Sequence, residues 1–338
     1  MKFGVIGSGS WGTAIVKILT EAGHDVLWCV RSEKIASHVQ QRHHNPKYLS
    51  TVYFSTEKLK LTTNPAALYD FAEAVVLAVP SAYAETYILP YKEKINSGLI
   101  FISAVKGMLP EKNMLMNEFL SSEIGFDQKK YVTIMGPCHA EEVAAEKLSY
   151  LTFAGTNLDV VEKISSAFKT PYINTRTSHD VAGVQYAAVL KNIYAMGAGI
   201  SHGLGYGDNF LSVFIANAAG EMKSFLHSIC STPASTIDVA SRKVNYSSSV
   251  YLGDLLVTCY SLFSRNRSFG NMIGKGYSVE SAQLAMQMVA EGLPASKSIY
   301  TLNNTLGASM PIALSIYRIL WEGLDAAKGF EEIESALV

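Results

Sequence analysis

The sequence predicts a doubly wound α/β domain followed by an all-α domain. Three features lead to that class: apolar runs alternating with helical spacing through the first half, a glycine-rich turn joining the first strand to the first helix, and a loss of strand signal near His179. Lys2–Ile6 reads as a short apolar strand. Gly12–Ala22 carries helical spacing and stops at Gly23, a residue suited to ending helices. Asp25–Val30 is the second strand, a polar helix is expected from about Ser32 to Arg42, and Asn45-Pro46 makes His43–Leu49 a loop. Further strands are expected at Ala74–Ala78, Leu99–Ser103, Tyr131–Met135 and Tyr150–Ala154. Buried Val/Ile/Leu runs separated by helices belong to a largely parallel sheet covered on both faces.

Past His179 the texture changes. Val181–Ile200, Phe210–Ser228, Leu252–Phe263, Val279–Ala290, Ala295–Leu302 and Pro311–Gly323 all suit helices. The expected division is therefore residues 1–178 and 179–338. No repeat or Gly/Ser linker separates the halves, so a packed helix is expected to join them.

Composition limits the function classes. The 338 residues are 49% hydrophobic and 17% charged with a net charge of -1, which describes a globular chain without a field that would attract nucleic acid or anionic membrane. No run approaches the roughly 20 apolar residues of a membrane span. The N-terminal apolar stretch is cut short by Gly7 and Gly9 and does not read as a signal peptide. Cys29, Cys138, Cys230 and Cys259 contain no C-x-x-C pair, so reduced thiols in a cytoplasmic protein are expected. His43-His44 are adjacent rather than one helical turn apart, and no metal site is expected.

Gly7-Ser8-Gly9-Ser10-Trp11-Gly12 fits G-x-G-x-x-G between a strand and a helix. In that context Gly7 permits the tight turn, Gly9 lets a pyrophosphate approach the backbone, and Gly12 lets the helix pack on the strand. The alternative is a chance glycine-rich turn, which the placement at residue 7 of an α/β pattern disfavours. The expectation is a Rossmann-type domain binding a nicotinamide dinucleotide. The second strand ends Trp28-Cys29-Val30-Arg31-Ser32, with no acid until Glu33. An acid there would hold a ribose 2′-hydroxyl, whereas Arg31 pairs with a 2′-phosphate or stacks on adenine. The expected cofactor is NADP or NAD, with the arginine tilting the choice slightly to NADPH.

Lys106 and the run Gly136-Pro137-Cys138-His139-Ala140-Glu141-Glu142 each follow a strand end, the edge where open α/β sheets bind ligands. On position alone Lys106 is better explained by solvation, and the acids after Cys138 by ordinary helix capping. Lys191-Asn192 falls inside a long apolar helix, where a lysine must snorkel, pair or do chemistry; snorkelling and proton transfer stand equal. Asp254 is a natural counter-ion for a buried lysine. Ser264, Arg265 and Asn266 supply hydroxyl, guanidinium and amide donors suited to phosphate oxygens, or else form a polar turn between helices.

Taken in order, these pieces resemble the bacterial-type NAD(P)-dependent glycerol-3-phosphate dehydrogenases over nearly the whole chain. The resemblance rests on Gly7 to Ala14, Lys106-Gly107, Gly136-Pro137 with Ala140 to Val143, Leu190-Lys191-Asn192, Gly253-Asp254-Leu255, Thr258-Cys259, Ser264-Arg265-Asn266-Arg267 and Glu291-Gly292. It implies NAD(P)H-dependent, reversible reduction of dihydroxyacetone phosphate to sn-glycerol 3-phosphate, feeding glycerophospholipid synthesis; the apolar helical half makes a homodimer the expected assembly. Lys191 would be the general acid/base, with Lys106 and Asp254 at the reacting end. Gly136, Cys138, Ser264, Arg265 and Asn266 would complete the substrate pocket. Gly7, Gly9, Ser10, Trp11, Gly12, Arg31, Lys106, Ala140, Arg265 and Glu291 would hold the dinucleotide. The chain departs from the family pattern at Cys138 (usually Ser), at Gln185 (usually Glu), in Ser248–Leu252, and in Asn217–Gly220 before Glu221-Met222. A ketopantoate or hydroxy-acid reductase, or a dinucleotide-sensing protein without turnover, would share the two-domain plan.

Overall fold

A computed structural model describes residues 1–96, 98–230, 244–286 and 289–338. Two units divide the chain. Met1–Val105 with Met114–Val181 make the first, and Lys106–Asn113 with Ala182–Val338 the second. The short segment beginning at Lys106 therefore groups with the helical unit, whereas a contiguous division at residue 178 leaves it with the sheet. The Lys106 carbonyl accepts a hydrogen bond from Asn192 of that unit.

In the first unit eight strands form one sheet: β1 (Lys2–Ile6), β2 (Asp25–Cys29), β3 (Leu59–Thr62), β4 (Ala74–Leu77), β5 (Ile100–Ser103), β6 (Tyr131–Met135), β7 (Ser149–Ala154) and β8 (Ile173–Ser178). Their order is β3-β2-β1-β4-β5-β6-β7-β8. Pairing is parallel from β3 through β6, antiparallel between β6 and β7, and parallel again to β8. The order reverses between β1 and β4, and the glycine turn leaves β1 at that switch point, where such sheets bind ligands. Val5, Trp28, Val76, Ile102, Val132 and Phe153 are buried in the core beneath the helices.

Two strands lack a sequence signal. Leu59–Thr62 reads Leu-Lys-Leu-Thr and Ile173–Ser178 reads Ile-Asn-Thr-Arg-Thr-Ser; both lie at the outer edges of the sheet, where one side needs no apolar cover.

The second unit is built on the helix Val181–Gly203, in which every residue from 181 to 201 is buried. A helix covered all round is a core helix. Four glycines let its neighbour, the helix Arg265–Gly274, approach backbone to backbone. A Cβ on Gly199 would stand 2.0 Å from the Arg267 carbonyl oxygen, and one on Gly203 2.6 Å from that of Asn271. A Cβ on Gly270 would stand 2.0 Å from the Met196 carbonyl oxygen, and one on Gly274 2.3 Å from that of Ile200. Each pair is spaced by one helical turn, so the two helices interlock along a glycine seam. The other long helices are Asp208–Cys230, Gly292–Leu306, Pro311–Trp321 and Ala326–Ala336. Asp254–Tyr260 is preceded by a π-helical turn, Ser249–Gly253, which takes the place of a continuous helix through Leu252. Val279–Ala285 ends before the expected Ala290, and residues 287 and 288 lie outside the described residues.

A buried carboxylate ties the core helix to its neighbours. Glu221 accepts from the backbone N–H groups of Ile312 and Ala313, both at 2.9 Å, and from the Tyr194 hydroxyl at 3.1 Å. It thereby caps the first turn of Pro311–Trp321, where a negative charge is favoured. Burial pushes its carboxyl up to about 7, against the downward pull of those three donors. Between its ordinary value of 4.5 and about 7 the folded state thus holds the extra proton. Stability contributed by this group falls as pH rises through that window, by on the order of 3 kcal/mol. Denaturant unfolding across the window should show this slope, and Glu221→Gln should flatten it. An unchanged slope in the variant would remove Glu221 as its source.

Candidate active site

In the first unit, the glycine loop has separate reasons for each glycine. Gly7 has φ +118°, and a Cβ there would lie 2.4 Å from the Ala78 carbonyl oxygen. A Cβ on Gly12 would lie 2.2 Å from the Gly7 carbonyl oxygen. Gly9 differs: its backbone is extended, at φ -78° and ψ -179°, and a Cβ there would meet nothing within 4 Å. Neither conformation nor packing within the chain calls for glycine at position 9. An incoming group that must come close to the backbone does. The following helix, Ser10–Glu21, has no side-chain cap and no acid in its first turn, which leaves its positive end for an anion. Trp28 Nε1 donates to the Gly7 carbonyl at 2.8 Å, and Asn45 Nδ2 donates to the Ser8 carbonyl at 3.1 Å and to Thr13 Oγ1 at 2.8 Å. The loop is thus braced from below, and the site fits the pyrophosphate of a dinucleotide.

Arg31 is exposed just past β2. Glu33, the first acid after that strand, accepts a short hydrogen bond from the Thr63 hydroxyl and heads the helix Glu33–Arg42. On the far side of β1, Gly136 follows β6 with φ +125°, and a Cβ there would press on the Tyr150 carbonyl oxygen at 2.7 Å. Cys138 and Ala140 are buried in the apolar core of this unit, so the sulfur at 138 sits among hydrophobic side chains.

In the second unit, Lys191 cannot snorkel because it is only 4% exposed. Its Nζ lies 2.5 Å from Asp254 Oδ1, and Asp254 is 1% exposed. Asp254 stands where the π-helical turn Ser249–Gly253 runs into the helix Asp254–Tyr260. Its second oxygen, Oδ2, is buried without a hydrogen-bond partner among the described residues. Such an acceptor is costly to leave unmet and marks a place for a donor on a ligand. Cys259 lies near enough to feel Lys191 and Arg267, yet burial pushes its thiol up to about 12 and makes it inert.

Ser264 and Arg265 begin the helix Arg265–Gly274 rather than a free turn. The Ser264 hydroxyl accepts from the Arg267 N–H at 3.3 Å, which leaves its own O–H available to donate. Two arginines in the first turn oppose the helix dipole, so this end of the helix calls for an anion. Asn266, expected to bind phosphate, is 8% exposed and bonded at both ends of its amide, to Asn192 and to the backbone of Gly292. Glu291 immediately precedes the helix Gly292–Leu306.

Sequence reasoning named Asn45 only as a loop residue and Asn192 only as part of a motif, and it missed the glycine seam. The Gly199/Gly203 and Gly270/Gly274 spacing was a readable signal; the two asparagines acquire meaning only from distant partners.

A braced glycine loop at the switch point of a doubly wound sheet, together with a helical unit holding a buried lysine–aspartate pair, defines a dinucleotide-dependent dehydrogenase. Residues 2–161 match the profile of the NAD-dependent glycerol-3-phosphate dehydrogenase N-terminus, and residues 180–331 that of its C-terminus. A glycerol-3-phosphate dehydrogenase (NAD(P)+) of Listeria monocytogenes is 33% identical over 331 residues, covering 98% of this chain and 95% of that protein. The solved glycerol-3-phosphate dehydrogenase of Coxiella burnetii is 27% identical with a TM-score of 0.88, covering 98% of both chains. A ketopantoate reductase from Ralstonia eutropha is 15% identical with a TM-score of 0.55, covering 97% of this chain and 99% of that one, and shares the fold alone. The chain belongs to the NAD-dependent glycerol-3-phosphate dehydrogenase family.

Proposed function

We propose that this chain reduces dihydroxyacetone phosphate to sn-glycerol 3-phosphate with NADPH or NADH, reversibly. The observation that carries the reading is the buried Lys191–Asp254 pair with one carboxylate oxygen still unmet. The nicotinamide, when bound, supplies the hydride that reduces C2 of the substrate. Lys191 holds a proton on Nζ for the C2 oxygen, on which negative charge develops, and takes it back in the oxidative direction. Asp254 Oδ1 pairs with that nitrogen and holds it in place, and Oδ2 accepts a hydrogen bond from the substrate's C1 hydroxyl. Arg265 and the Ser264 hydroxyl hold the phosphate, which turns remote binding energy into alignment of C2. Lys106 and Gly136 complete the substrate's surroundings, with position 138 supplying at most a weak thiol contact in place of a hydroxyl.

Gly7, Gly9, Gly12, Ser10 and Trp11 take the dinucleotide phosphates, Arg31 the adenosine end, and Ala140, Arg265 and Glu291 its remaining contacts. Among the described residues no helix is long and apolar enough to cross a membrane. Our reading places the enzyme in the cytoplasm as a homodimer, supplying glycerophospholipid synthesis. The deciding experiment is kcat/KM for dihydroxyacetone phosphate with each cofactor; absence of turnover with both overturns the reading. In the same assay Arg31→Ala should raise KM for NADPH about 10-fold, the worth of one charge-assisted hydrogen bond, and leave KM for NADH nearly unchanged. Equal effects on both cofactors would mean that Arg31 only stacks on adenine.

A further inference from the structure

Three consecutive carbonyls of the glycine loop are each held by a buried side-chain donor. Trp28 Nε1 donates to the Gly7 carbonyl at 2.8 Å, Asn45 Nδ2 to the Ser8 carbonyl at 3.1 Å, and Thr13 Oγ1 to the Gly9 carbonyl at 2.8 Å. Trp28, Asn45 and Thr13 lie in the interior of the first unit, at 0%, 1% and 0% exposure. The three carbonyls therefore face inward. In a planar trans peptide the N–H of the next residue points the opposite way. The N–H groups of Ser8, Gly9 and Ser10 are thereby turned away from the interior.

Asn45 joins these clamps to one another and to its own loop. Its second N–H goes to Thr13 Oγ1 at 2.8 Å, and its Oδ1 accepts from the backbone N–H groups of Lys47 and Tyr48 at 3.0 and 3.2 Å. Two donors and two acceptor sites of the amide are all filled, so its orientation is fixed and no N–H is left for a ligand. Thr13 is fixed likewise. Its hydroxyl proton goes to a carbonyl that can only accept, and its oxygen takes the Asn45 N–H.

Clamping matters here because glycines on either side of Ser8 let the peptide planes rotate easily. A flip of the Ser8–Gly9 peptide would put a carbonyl oxygen where an N–H stood. An arriving pyrophosphate would then meet an acceptor in place of a donor.

We infer that Trp28, Asn45 and Thr13 are positioning residues for dinucleotide binding, which hold the Gly7, Ser8 and Gly9 peptides in the orientation that presents N–H groups to the pyrophosphate. In this role none of the three side chains touches the cofactor. The inference rests on the reading of the loop as a dinucleotide site.

Trp28→Phe, Asn45→Ala and Thr13→Val each remove one clamp without adding charge. The variants are compared in the intact enzyme by the dissociation constants for ADP-ribose, which carries the pyrophosphate, and for adenosine, which lacks it. Each should weaken ADP-ribose about 10-fold, the worth of one hydrogen bond to a charged group, and leave adenosine within about 2-fold. KM for the preferred cofactor should rise with kcat nearly unchanged, as when uniform binding is lost. Asn45→Ala combined with Thr13→Val should cost little more than the worse single variant, because the two belong to one chain of hydrogen bonds. A merely loosened domain would weaken ADP-ribose and adenosine by the same factor, and that overturns the inference. So does wild-type affinity for ADP-ribose in the folded variants. Should Asn45→Ala fail to fold, Trp28→Phe keeps an aromatic ring against Phe54 and is judged by the same two outcomes. Wild-type enzyme that binds ADP-ribose but does not reduce dihydroxyacetone phosphate defeats the functional reading alone, and the dissociation constants then judge the clamps. Wild-type enzyme that does not bind ADP-ribose overturns both.

Discussion

Replacing Lys191 with methionine should lower kcat for dihydroxyacetone phosphate by ~10²–10⁴-fold, the worth of a positioned general acid, while dinucleotide affinity stays near the wild-type value. Methionine keeps the length and apolar stem of lysine but cannot hold a proton. It also leaves Asp254 buried without its cation, a loss of about 3–5 kcal/mol of stability. Folding and chemistry must therefore be separated. Lys191→Met combined with Asp254→Asn removes the stranded charge, so stability should recover by denaturant unfolding while activity does not. Normal turnover by folded Lys191→Met would remove the lysine from the proton transfer.

Arg265→Ala should raise KM for dihydroxyacetone phosphate by about 10–100-fold, since each hydrogen bond between charged groups is worth about 1.5–3 kcal/mol. kcat should fall as well, because alignment of C2 depends on the anchored phosphate. The substitution removes a cation from the positive end of Arg265–Gly274, so the helix itself should lose no stability. The comparison substrate is dihydroxyacetone without phosphate, whose poor turnover the variant should leave untouched. An unchanged KM for the phosphorylated ketone would move the phosphate site away from this helix.

Strands within the body of the sheet were legible in the sequence. Lys2–Ile6 and Tyr131–Met135 have the bounds that their apolar runs suggest, because both faces of those strands are covered and most of their positions are buried and apolar. Leu59–Thr62 and Ile173–Ser178 were not legible, since an edge strand owes its place to a neighbour's hydrogen bonds rather than to its own apolarity. The helix Arg265–Gly274 escaped for a related reason: its sequence is polar and glycine-rich, and its stability comes from the seam with Val181–Gly203. Pattern reading finds elements that bury a face by themselves, and it misses those whose partner supplies the reason.

The glycine loop and its cofactor class were determined by sequence alone, because a turn of six adjacent residues carries its own geometry: tight turn, open backbone and close helix packing follow from where glycines fall. The types of side chain available for the chemistry were likewise visible. Only the tertiary structure decided which of them meet. It turned the lysine of an apolar helix from an open choice into a buried ion pair with Asp254. It also joined the Asn266 amide to Asn192 and to the Gly292 backbone. Those outcomes depend on partners far apart in the chain, brought within hydrogen-bond distance by helices packed across glycine contacts. No local pattern encodes such a pairing.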